Sequence, residues 1–432
     1  MTVNAAVAAP ATGTGVNAGQ KVAFGQLDWG WVVMSIGMAI GAGIVFLPVQ
    51  VGMMGIWVFL LSSLIGYPAM YMFQKLFINT LAESDSCKDY TSIITEYLGK
   101  NWGMALGILY FIMLVIWVFV YSLAITNDSA SYLRTFGVTE TLLSENPLYS
   151  LCLIAGMVFI ASYSEKILFR ISGFMAMSVL ATVLVLGAFM VPHWDMSNVS
   201  AVPPSGELFK NAIITLPFTL TSILFIQSLS PMTIAFREHS QNMEEARFRS
   251  LRAMKVAFGL LFCIVFFYAI SFTLTISQVQ AVDAFNQNIS SLAIIAQYMS
   301  GSVTNGLGIM INIFAVATSF LAIFLAFREA CTGIVMNTLR RRYTDDQINQ
   351  GTIKKGVTAF IILISWAAVI TNIPILYFTS LCSPIFGLVG CLIPAYLVYK
   401  IPRLAKYRGL ATNIIIVVGI LLVISPLLAF IG

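Results

Sequence analysis

The sequence predicts an all-α membrane protein of eleven transmembrane helices, arranged as two inverted halves of five helices with one helix added. Three observations predict this fold. The chain of 432 residues is 59% hydrophobic and only 9% charged, whereas soluble domains carry about 25% charged residues. Its apolar residues fall into eleven runs, each near the roughly 20 residues that a helix needs to span a bilayer. Its Lys and Arg residues concentrate in alternate loops, as the positive-inside rule requires.

The eleven predicted spans follow one another in two groups of five, with the last span outside both. The first ten divide at about residues 30–191 and 209–399, and an odd number of spans per half turns the second half upside down relative to the first. Residues 27–432 are therefore predicted to form one transmembrane domain. The spans cover approximately 30–50, 56–78, 102–127, 147–163, 171–191, 209–236, 255–277, 303–336, 356–373, 375–399 and 410–431.

The basic residues predict that the N-terminus lies inside and the C-terminus outside. Of the 23 Lys and Arg residues, 20 fall in segments that this orientation places inside and 2, Arg134 and Lys210, fall outside. The net charge of +5 is then explained by membrane topology, and no nucleic-acid partner is expected. Residues 1–26 show no basic segment ahead of an apolar one, which predicts a disordered cytoplasmic tail and not a signal peptide.

The first span, within the apolar run 29–60, carries residues that interrupt a helix. Gly37, Gly41 and Gly43 weaken it and Pro48 removes a backbone donor, so the sequence predicts a break. Open backbone at membrane depth is tolerated only where it is buried in protein or lines a cavity. Free amides there attract a carboxylate and free carbonyls attract a cation. The alternative interpretation is a glycine-rich face for close helix packing.

The sixth span carries a second set of interrupting residues. Gln227, Ser228 and Ser230 are polar within an apolar run, and Pro231 cannot donate to the preceding turn, so the helix is predicted to open just before Pro231. The first and sixth spans begin the two halves. Paired interruptions at corresponding positions of inverted halves are typical of the binding site of a secondary transporter.

Four further features outside these two spans were considered for the site. Thr318 and Ser319 of the eighth span offer adjacent hydroxyls to a hard cation, although such residues often bond back to their own helix. Segment 89–99 predicts a short amphipathic helix on the inner surface. Segment 279–299 is either a cap over an outer vestibule or a plain surface helix, and Asp128 is placed at the outer end of the third span, beside the entry path.

Several short motifs stand in a characteristic order along the chain. They are Ala39–Pro48, Tyr121–Asn127, Ser230-Pro231, Gln287–Ser290, Ser319-Phe-Leu with Arg328-Glu329, and Ser383–Phe386. In their order and spacing, from about Trp29 to the C-terminus, the chain resembles the bacterial hydroxy and aromatic amino-acid permeases, most closely the serine/threonine permease branch. That family belongs to the amino acid, polyamine and organocation superfamily. The resemblance implies a leucine-transporter-like (LeuT-like) fold of five plus five inverted spans and one extra helix.

The resemblance also implies a site between the two interrupted spans. Backbone amides after the first break would take the carboxylate of the substrate, and groups of the sixth span its amino group and side chain. The eighth span would complete a cation site. The implied substrate-binding residues are Ala42, Gly43, Ile44, Tyr121, Gln227 and Ser228, and the implied cation-binding residues are Ala39, Ile40, Thr318 and Ser319, with sodium at Thr318 and Ser319.

Two positions depart from the pattern of that branch. Serine permeases tend to carry a Lys where this chain has Thr318, and an Asn-His pair before the Ser-Pro of the sixth span where this chain has Gln227-Ser-Leu229. The hydroxyl pair favours sodium over a proton as the coupling ion. The altered sixth span widens the predicted substrate from serine to small neutral amino acids.

The predicted function is cation-coupled uptake of a small neutral amino acid, with serine or threonine favoured, across the bacterial inner membrane by alternating access. The protein is expected to act as a monomer in lipid, with no cofactor beyond its coupling ion. An aromatic amino-acid permease or an exchanger is the alternative within the class, and a channel or a transporter-like sensor is the alternative outside it. The sequence contains no HExxH or GxSxG motif and no acidic pair within a predicted span, so it does not predict an enzyme.

Overall fold

The computed structural model describes residues 23–84, 90–163, 165–298, 320–321, 323–336, 338–339 and 347–431. Across these ranges the regular structure is helical. A π-helical segment, Gly387–Leu392, joins two of the helices. The helices are α1 (Gln26–Ala39), α2 (Ala42–Met54), α3 (Ile56–Ala82), α4 (Tyr90–Leu98), α5 (Lys100–Thr135), α6 (Pro147–Tyr163), α7 (Glu165–Met190), α8 (Ser205–Thr221), α9 (Ile226–Glu238), α10 (Met243–Thr275), α11 (Gln278–Asn286), α12 (Ser291–Tyr298), α13 (323–336), α14 (Gln350–Thr371), α15 (Ile375–Phe386), α16 (Ile393–Lys400) and α17 (Leu410–Ile431).

Seven helical segments in the described ranges are long and apolar enough to cross a membrane. They are α3, α5, α8 with α9, α10, α14, α15 with α16, and α17, and the bent pair of α1 and α2 makes an eighth. A helix or a pair of helices lies over every predicted span, and in the eighth span it is α13 over 323–336. Residues 303–319 of that span lie outside the described ranges.

The long helices are apolar on their outer faces as well as in the core. Leu64, Phe159 and Leu410 are at least 70% exposed, while Phe59 and Phe218 are fully buried. A helix that is apolar all round is stable only when its outer face meets protein or lipid. The exposed belt of large apolar side chains is therefore the surface that lipid covers.

Helix α17, which lies outside the two predicted halves, packs very closely on the π-helical segment. A Cβ on Gly387 would lie 2.6 Å from the carbonyl oxygen of Gly419. A Cβ on Gly419 would lie 2.8 Å from the Cβ atom of Cys391. Helices without side chains at the contact can bring their backbones together, which is a common way of packing in lipid. The two glycines therefore set the spacing between the π-helical segment and α17.

Helix α17 is also hydrogen-bonded to α8 at a proline. Pro217 has no amide hydrogen, so the carbonyl of Ile213 one turn earlier loses its helical donor. Ser425 of α17 donates its hydroxyl to that carbonyl at 3.0 Å. An unpaired carbonyl in an apolar interior is costly, and Ser425 removes that cost from outside the helix.

A second proline, Pro426 of α17, also frees a carbonyl that a hydroxyl from another helix satisfies. Pro426 deprives the carbonyl of Leu422 of its helical donor, and Ser383 of α15 donates its hydroxyl to it at 2.7 Å. The two hydroxyl bonds tie α17 to α8 on one side and to α15 on the other.

The segment 89–99, predicted as an amphipathic helix, is α4. Its apolar residues Ile93 and Ile94 are fully buried, and the hydroxyl of Tyr90 donates to the carbonyl of Val389 in the π-helical segment at 3.2 Å. The apolar face therefore packs on protein, so that α4 is part of the core.

The segment 279–299 forms the pair α11 and α12, and the interpretation as a plain surface helix is wrong. Ile289, Leu292 and Ile295 are 1–2% exposed, because the pair packs on α2 and α5. Asp128 of α5 is itself buried and accepts the amide of Ser290 at 2.8 Å. The carboxylate that was placed beside an entry path therefore anchors this hairpin.

Three asparagines hold the same hairpin at the far end of α5. Asn127 donates to the carbonyl of Asn288 and to the side chain of Asn372, both at 3.3 Å, and Asn288 donates to the side chain of Asn372 at 3.2 Å. Asn288 and Asn372 have φ of 56° and 44°, a left-handed backbone that asparagine tolerates better than most residues. These three residues are named the asparagine triad.

The opposite end of the bundle, where α10 begins, is held by charges. Asp28 of α1 is fully buried, and its two carboxylate oxygens lie 2.9 Å from Arg249 and 2.7 Å from Arg252. The guanidinium of Arg249 also lies 4.8 Å from the centre of the Phe236 ring in α9. This arrangement joins the first turn of α1 and the second and third turns of α10 to the last turn of α9.

Glu83, directly after α3, is the second acidic centre at this end. Its carboxylate lies 2.6 Å from Lys406, 3.5 Å from Arg247 and 3.7 Å from Arg403, and the hydroxyl of Tyr407 donates to it at 2.8 Å. Burial raises the pKa of Glu83, but the hydrogen bonds from Lys406 and Tyr407 outweigh burial and hold the pKa below its ordinary value. The cluster links α3 and α10 to the segment that precedes α17.

The bond between Ser425 and Ile213 predicts a compensating pair of substitutions. Ser425→Ala should lower the stability of the folded protein by about 1–2 kcal/mol, because it leaves a buried carbonyl without a donor. In a Pro217→Ala background the new amide of residue 217 satisfies the same carbonyl, so Ser425→Ala should cost much less there. Thermal unfolding of the four purified proteins in detergent measures both effects. Equal losses in the two backgrounds would contradict this reading of the bond.

The lowered pKa of Glu83 predicts a pH-dependent contribution to stability. A carboxylate whose folded pKa is depressed stabilises the fold above its unfolded pKa and loses that contribution as the pH falls through its folded pKa. Glu83→Gln should therefore lower the melting temperature at pH 7 by more than it does near pH 3. Melting curves of both proteins across this range measure the difference, with the exposed Glu207→Gln as control. A gap that persists unchanged at pH 3 would show that the charge of Glu83 is not the cause.

Candidate functional site

The first predicted break is confirmed, and it lies at Ile40 and Gly41. Helix α1 ends at Ala39 and α2 begins at Ala42, and the two helices are bent by 50°. Ile40 and Gly41 are both extended. The first amides of α2 have no carbonyl one turn earlier in the helix to donate to, and the last carbonyls of α1 have no amide one turn later in the helix to accept from.

The three amides that were predicted to bind a carboxylate are not equivalent. The amide of Ile44 donates to the carbonyl of Gly41 at 3.1 Å, so it already has an acceptor in this conformation. The amides of Ala42 and Gly43 are the first two of α2, where helix geometry supplies no acceptor. They therefore remain the better candidates for an anionic group.

The second break lies earlier than predicted. Helix α8 ends at Thr221 and α9 begins at Ile226, so residues 222–225 form the break and Pro231 lies inside α9. The prediction that the helix opens just before Pro231 is wrong. The segment is set instead by long-range contacts, from α2 and from α3, that local sequence does not reveal.

The contact from α2 brings the two breaks together. A Cβ placed on Gly43 would lie 2.5 Å from the carbonyl oxygen of Thr221 and 2.9 Å from the Cα of Ser222. Both are backbone atoms, which cannot rotate away. The start of α2 thus rests directly on the end of α8, and only glycine permits this approach.

The contact from α3 is made by Gln74. This side chain is fully buried, and its amide nitrogen donates to the carbonyl of Ile223 at 3.4 Å. Its amide oxygen has no hydrogen-bond partner among the described residues. Gln74 therefore stabilises the open backbone of the second break and still holds one buried acceptor.

A pair of buried hydroxyls connects the two interrupted spans. Ser35 of α1 and Ser228 of α9 are both fully buried, and their oxygens are 2.9 Å apart. The hydroxyl of Ser228 donates to the carbonyl of Phe225 at 2.9 Å. With its one hydrogen used there, Ser228 accepts from Ser35.

A cavity of about 280 Å³ lies on one side of the second break. Its walls include Thr221, Gln227 and Ser230, together with residues of α3, α4, α5, the π-helical segment and α17. Gln227 is the only one of the implied substrate residues that lines it. It is named the Gln227 cavity.

The remaining implied residues are placed as follows. Tyr121 is buried and stacks on Trp117 with ring centres 5.6 Å apart. Ala39 and Ile40 are buried at the first break. Thr318 and Ser319 lie outside the described residues.

Two residues at the site were not singled out from the sequence as binding or positioning residues. Gln74 is a lone amide within an apolar span, which is a recognisable signal because polar groups in membrane helices are usually functional or paired. Ser35 gives no comparable signal, since serine is frequent in such helices.

Comparison with solved structures identifies the class of protein. The structure is similar to that of MhsT in complex with L-phenylalanine, with a TM-score of 0.54 and 13% identity over 94% of this chain and 98% of that one. It is also similar to Mhp1, a nucleobase-cation-symport-1 family transporter solved in a closed conformation with bromovinylhydantoin, with a TM-score of 0.55 and 14% identity over 93% and 91% of the chains. The chain is thus a membrane protein with the LeuT fold, and its two broken helices meet as that class requires.

Sequence relatives identify the family. A serine transporter of Escherichia coli O157:H7 and a probable serine transporter of Escherichia coli K12 are each 61% identical over 414 residues, 95% of this chain and 94% of theirs. Serine transporter SdaC of Escherichia coli K12 is 26% identical over 425 residues, 96% of this chain and 97% of that protein. This chain belongs to the serine/threonine permease family, as the resemblance of its motifs predicted. No family model matches the chain.

The contact at Gly43 predicts a severe effect from one methyl group. Gly43→Ala should lower the melting temperature strongly, or prevent folding, because the added Cβ overlaps backbone of α8 and overpacking costs about 1–3 kcal/mol or more. Gly30→Ala is a matched control in α1, because a Cβ there meets no atom within 4 Å. Fluorescence-detected gel filtration with thermal challenge compares the two variants. If Gly43→Ala is as stable as Gly30→Ala, the close contact between the breaks does not exist.

Proposed function

We propose that this protein is a secondary active transporter that takes up serine, threonine or a similar small neutral amino acid across the bacterial inner membrane by alternating access, driven by a cation. The observation that carries the proposal is the meeting of two broken helices at Gly43 and Thr221, within a LeuT fold. Relatives named serine transporters at 61% identity over most of the chain support the substrate class.

The substrate site is proposed to lie at the two breaks. The amides of Ala42 and Gly43, at the positive end of α2, suit the carboxylate of an amino acid. Gln227 presents an exposed amide at the start of α9. The hydroxyl of Ser228 donates its hydrogen to the carbonyl of Phe225, so it can only accept a further hydrogen bond. It therefore suits the ammonium group of a substrate, which donates, more than a substrate group that accepts.

The cation site is proposed at the end of α1. The carbonyls of Ala39 and Ile40 lie at the negative end of that helix, which attracts a positive charge. Thr318 and Ser319 would add two hydroxyl oxygens, the type of ligand that a hard cation takes. Sodium is the proposed coupling ion because the four proposed ligand residues, Ala39, Ile40, Thr318 and Ser319, offer neutral oxygens and none of them is a carboxylate that could carry a proton.

An aromatic amino-acid permease or an exchanger remains the alternative within the class, and MhsT, which was solved with L-phenylalanine, shows only that a protein of this fold can hold an aromatic amino acid. A channel or a sensor is the alternative of a different class. Accumulation against a gradient separates a transporter from both, because a channel dissipates gradients and a sensor moves no substrate.

Transport assays in proteoliposomes test the substrate and the driving force together. Labelled serine and threonine should accumulate above the external concentration when an inward sodium gradient is imposed, and tryptophan should compete weakly. A proton gradient alone should drive little uptake. The absence of uptake and of competition across a panel of neutral amino acids would refute the proposed function, whereas uptake that needs unlabelled amino acid inside would identify an exchanger.

Substitution of the hydroxyl pair tests the ion site. The double variant Thr318→Ala with Ser319→Ala should lose the sodium stimulation of uptake, because two ligand oxygens are removed. Thr332→Ala serves as the matched control, since Thr332 only donates to the carbonyl of Arg328 in its own helix. The sodium dependence of the initial rate is the measurement. Unchanged sodium stimulation in the double variant would move the ion site elsewhere.

A further inference from the structure

The Gln227 cavity lies between two irregular stretches of backbone. On one side are Thr221 and Leu224 of the second break, and on the other are Val389, Gly390 and Cys391 of the π-helical segment. Irregular backbone at membrane depth is tolerated where it lines a cavity, and π-helical insertions occur often at functional sites. A molecule in this cavity would touch both segments at once.

The walls of the cavity are uncharged and rich in aromatic rings. No charged side chain is among its lining residues. Five lining residues are aromatic, and the rings of Phe77 and Tyr90 have centres 4.4 Å apart. An amino-acid zwitterion would leave two charges without partners on such walls, whereas a flat uncharged ring finds edge and face contacts there. The aromatic residues are Phe73, Phe77, Tyr90, Tyr110 and Phe386.

Among the polar groups of the cavity, Gln227 offers a hydrogen-bonding position beside the second break. The hydroxyl of Thr221 donates to the carbonyl of Pro217 at 2.8 Å, and the hydroxyl of Tyr90 donates to Val389. The side chain of Gln227 is exposed to the cavity and makes no hydrogen bond to any described residue. Its carbonyl also lacks a helical donor, because Pro231 stands one turn later.

We propose that the Gln227 cavity is a binding site for a small uncharged aromatic molecule that carries one hydrogen-bonding group, and that its occupancy slows transport. The volume of about 280 Å³ is just below the range of drug-sized sites, which begins at about 300 Å³, so it suits a single ring with a short polar arm. Such a molecule packs between α9 and the π-helical segment, and it holds the second break in its present geometry. The effect on transport rests on the proposed function, whereas the binding itself does not.

Binding is tested without reference to transport. 2-Phenylethanol, an uncharged ring with one hydroxyl, serves as the probe, and a ring-diazirine derivative of it is photo-crosslinked to the purified protein. Labelled peptides should map to the walls of the cavity in α3, α5, α9 and the π-helical segment, and excess 2-phenylethanol should suppress the label. Label spread evenly over lipid-facing helices, or unaffected by the competitor, would overturn the proposed site.

A cavity-filling variant and its control locate the site. Ala69→Leu places bulk inside the cavity, which Ala69 lines, and should remove most of the crosslinking. Ala105→Leu is the same substitution at an exposed position of α5 and should leave the crosslinking at the level of the original protein. Should Ala69→Leu fail to fold, Gly390→Ala provides a second filling variant, since its Cβ would meet only the end of the Phe73 ring, at 3.3 Å. Equal labelling of filled and control variants would overturn the proposal.

The effect on transport is measured in the same proteins. 2-Phenylethanol should lower the maximal rate of serine uptake more than it raises the KM, because its site shares only Gln227 with the proposed substrate site. Ala69→Leu should raise the half-inhibitory concentration about tenfold, and Ala105→Leu should not change it. Competitive inhibition, or inhibition that is equal in both variants, would overturn the role in transport. If no serine uptake occurs at all, the proposed function fails and the crosslinking result still decides the binding site.

Discussion

The structure depends on one constraint, namely that every backbone amide and carbonyl in an apolar surrounding must find a partner within the protein. Prolines and breaks remove partners, and in three cases a side chain of another helix supplies the missing donor. Gln74 donates a hydrogen bond to the carbonyl of Ile223 at the second break. Ser425 donates to the carbonyl freed by Pro217, and Ser383 donates to the carbonyl freed by Pro426. The interruptions are therefore held in place by side chains that come from distant parts of the sequence.

This constraint gives α17 a structural role that its position outside the two predicted halves does not reveal. It supplies the donor to α8 a few residues before the second break, and it receives a donor from α15 just before the π-helical segment. Its close contact at Gly419 brings its backbone against that segment. The helix thus supports both irregular stretches that border the Gln227 cavity, so that a change in either stretch requires α17 to adjust.

The sequence allowed the first break to be predicted in position but not the second. Gly41 and Gly43 weaken the helix locally, and the break lies at Ile40 and Gly41 because the cause is in the same stretch of chain. Pro231 marks the sixth span as irregular, yet α9 accommodates it, and the opening at residues 222–225 follows from contacts with Gly43 and Gln74. Those contacts join residues about 150 to 180 positions apart, which no local pattern encodes. The proposed ion ligands Thr318 and Ser319 lie outside the described residues, so their placement stays a prediction.

The two ends of the helical bundle are closed by different chemistry. At the end where α10 begins, Asp28 and Glu83 are surrounded by arginine and lysine side chains, and removing Asp28 would take the carboxylate from two arginine side chains that are only 12% and 21% exposed. At the other end the asparagine triad uses neutral amides, whose hydrogen bonds exchange with water at little net cost. Under the proposed alternating access, the ionic end ties α1, α9 and α10 into one body, and Ser35 with Ser228 ties α1 to α9 at the level of the breaks. The contacts of Asp28 lie within that body, so they need not break when it moves against the rest of the bundle. The asparagine triad instead joins α5 to the hairpin of α11 and α12 and to Asn372 after α14, through neutral contacts that cost less to release.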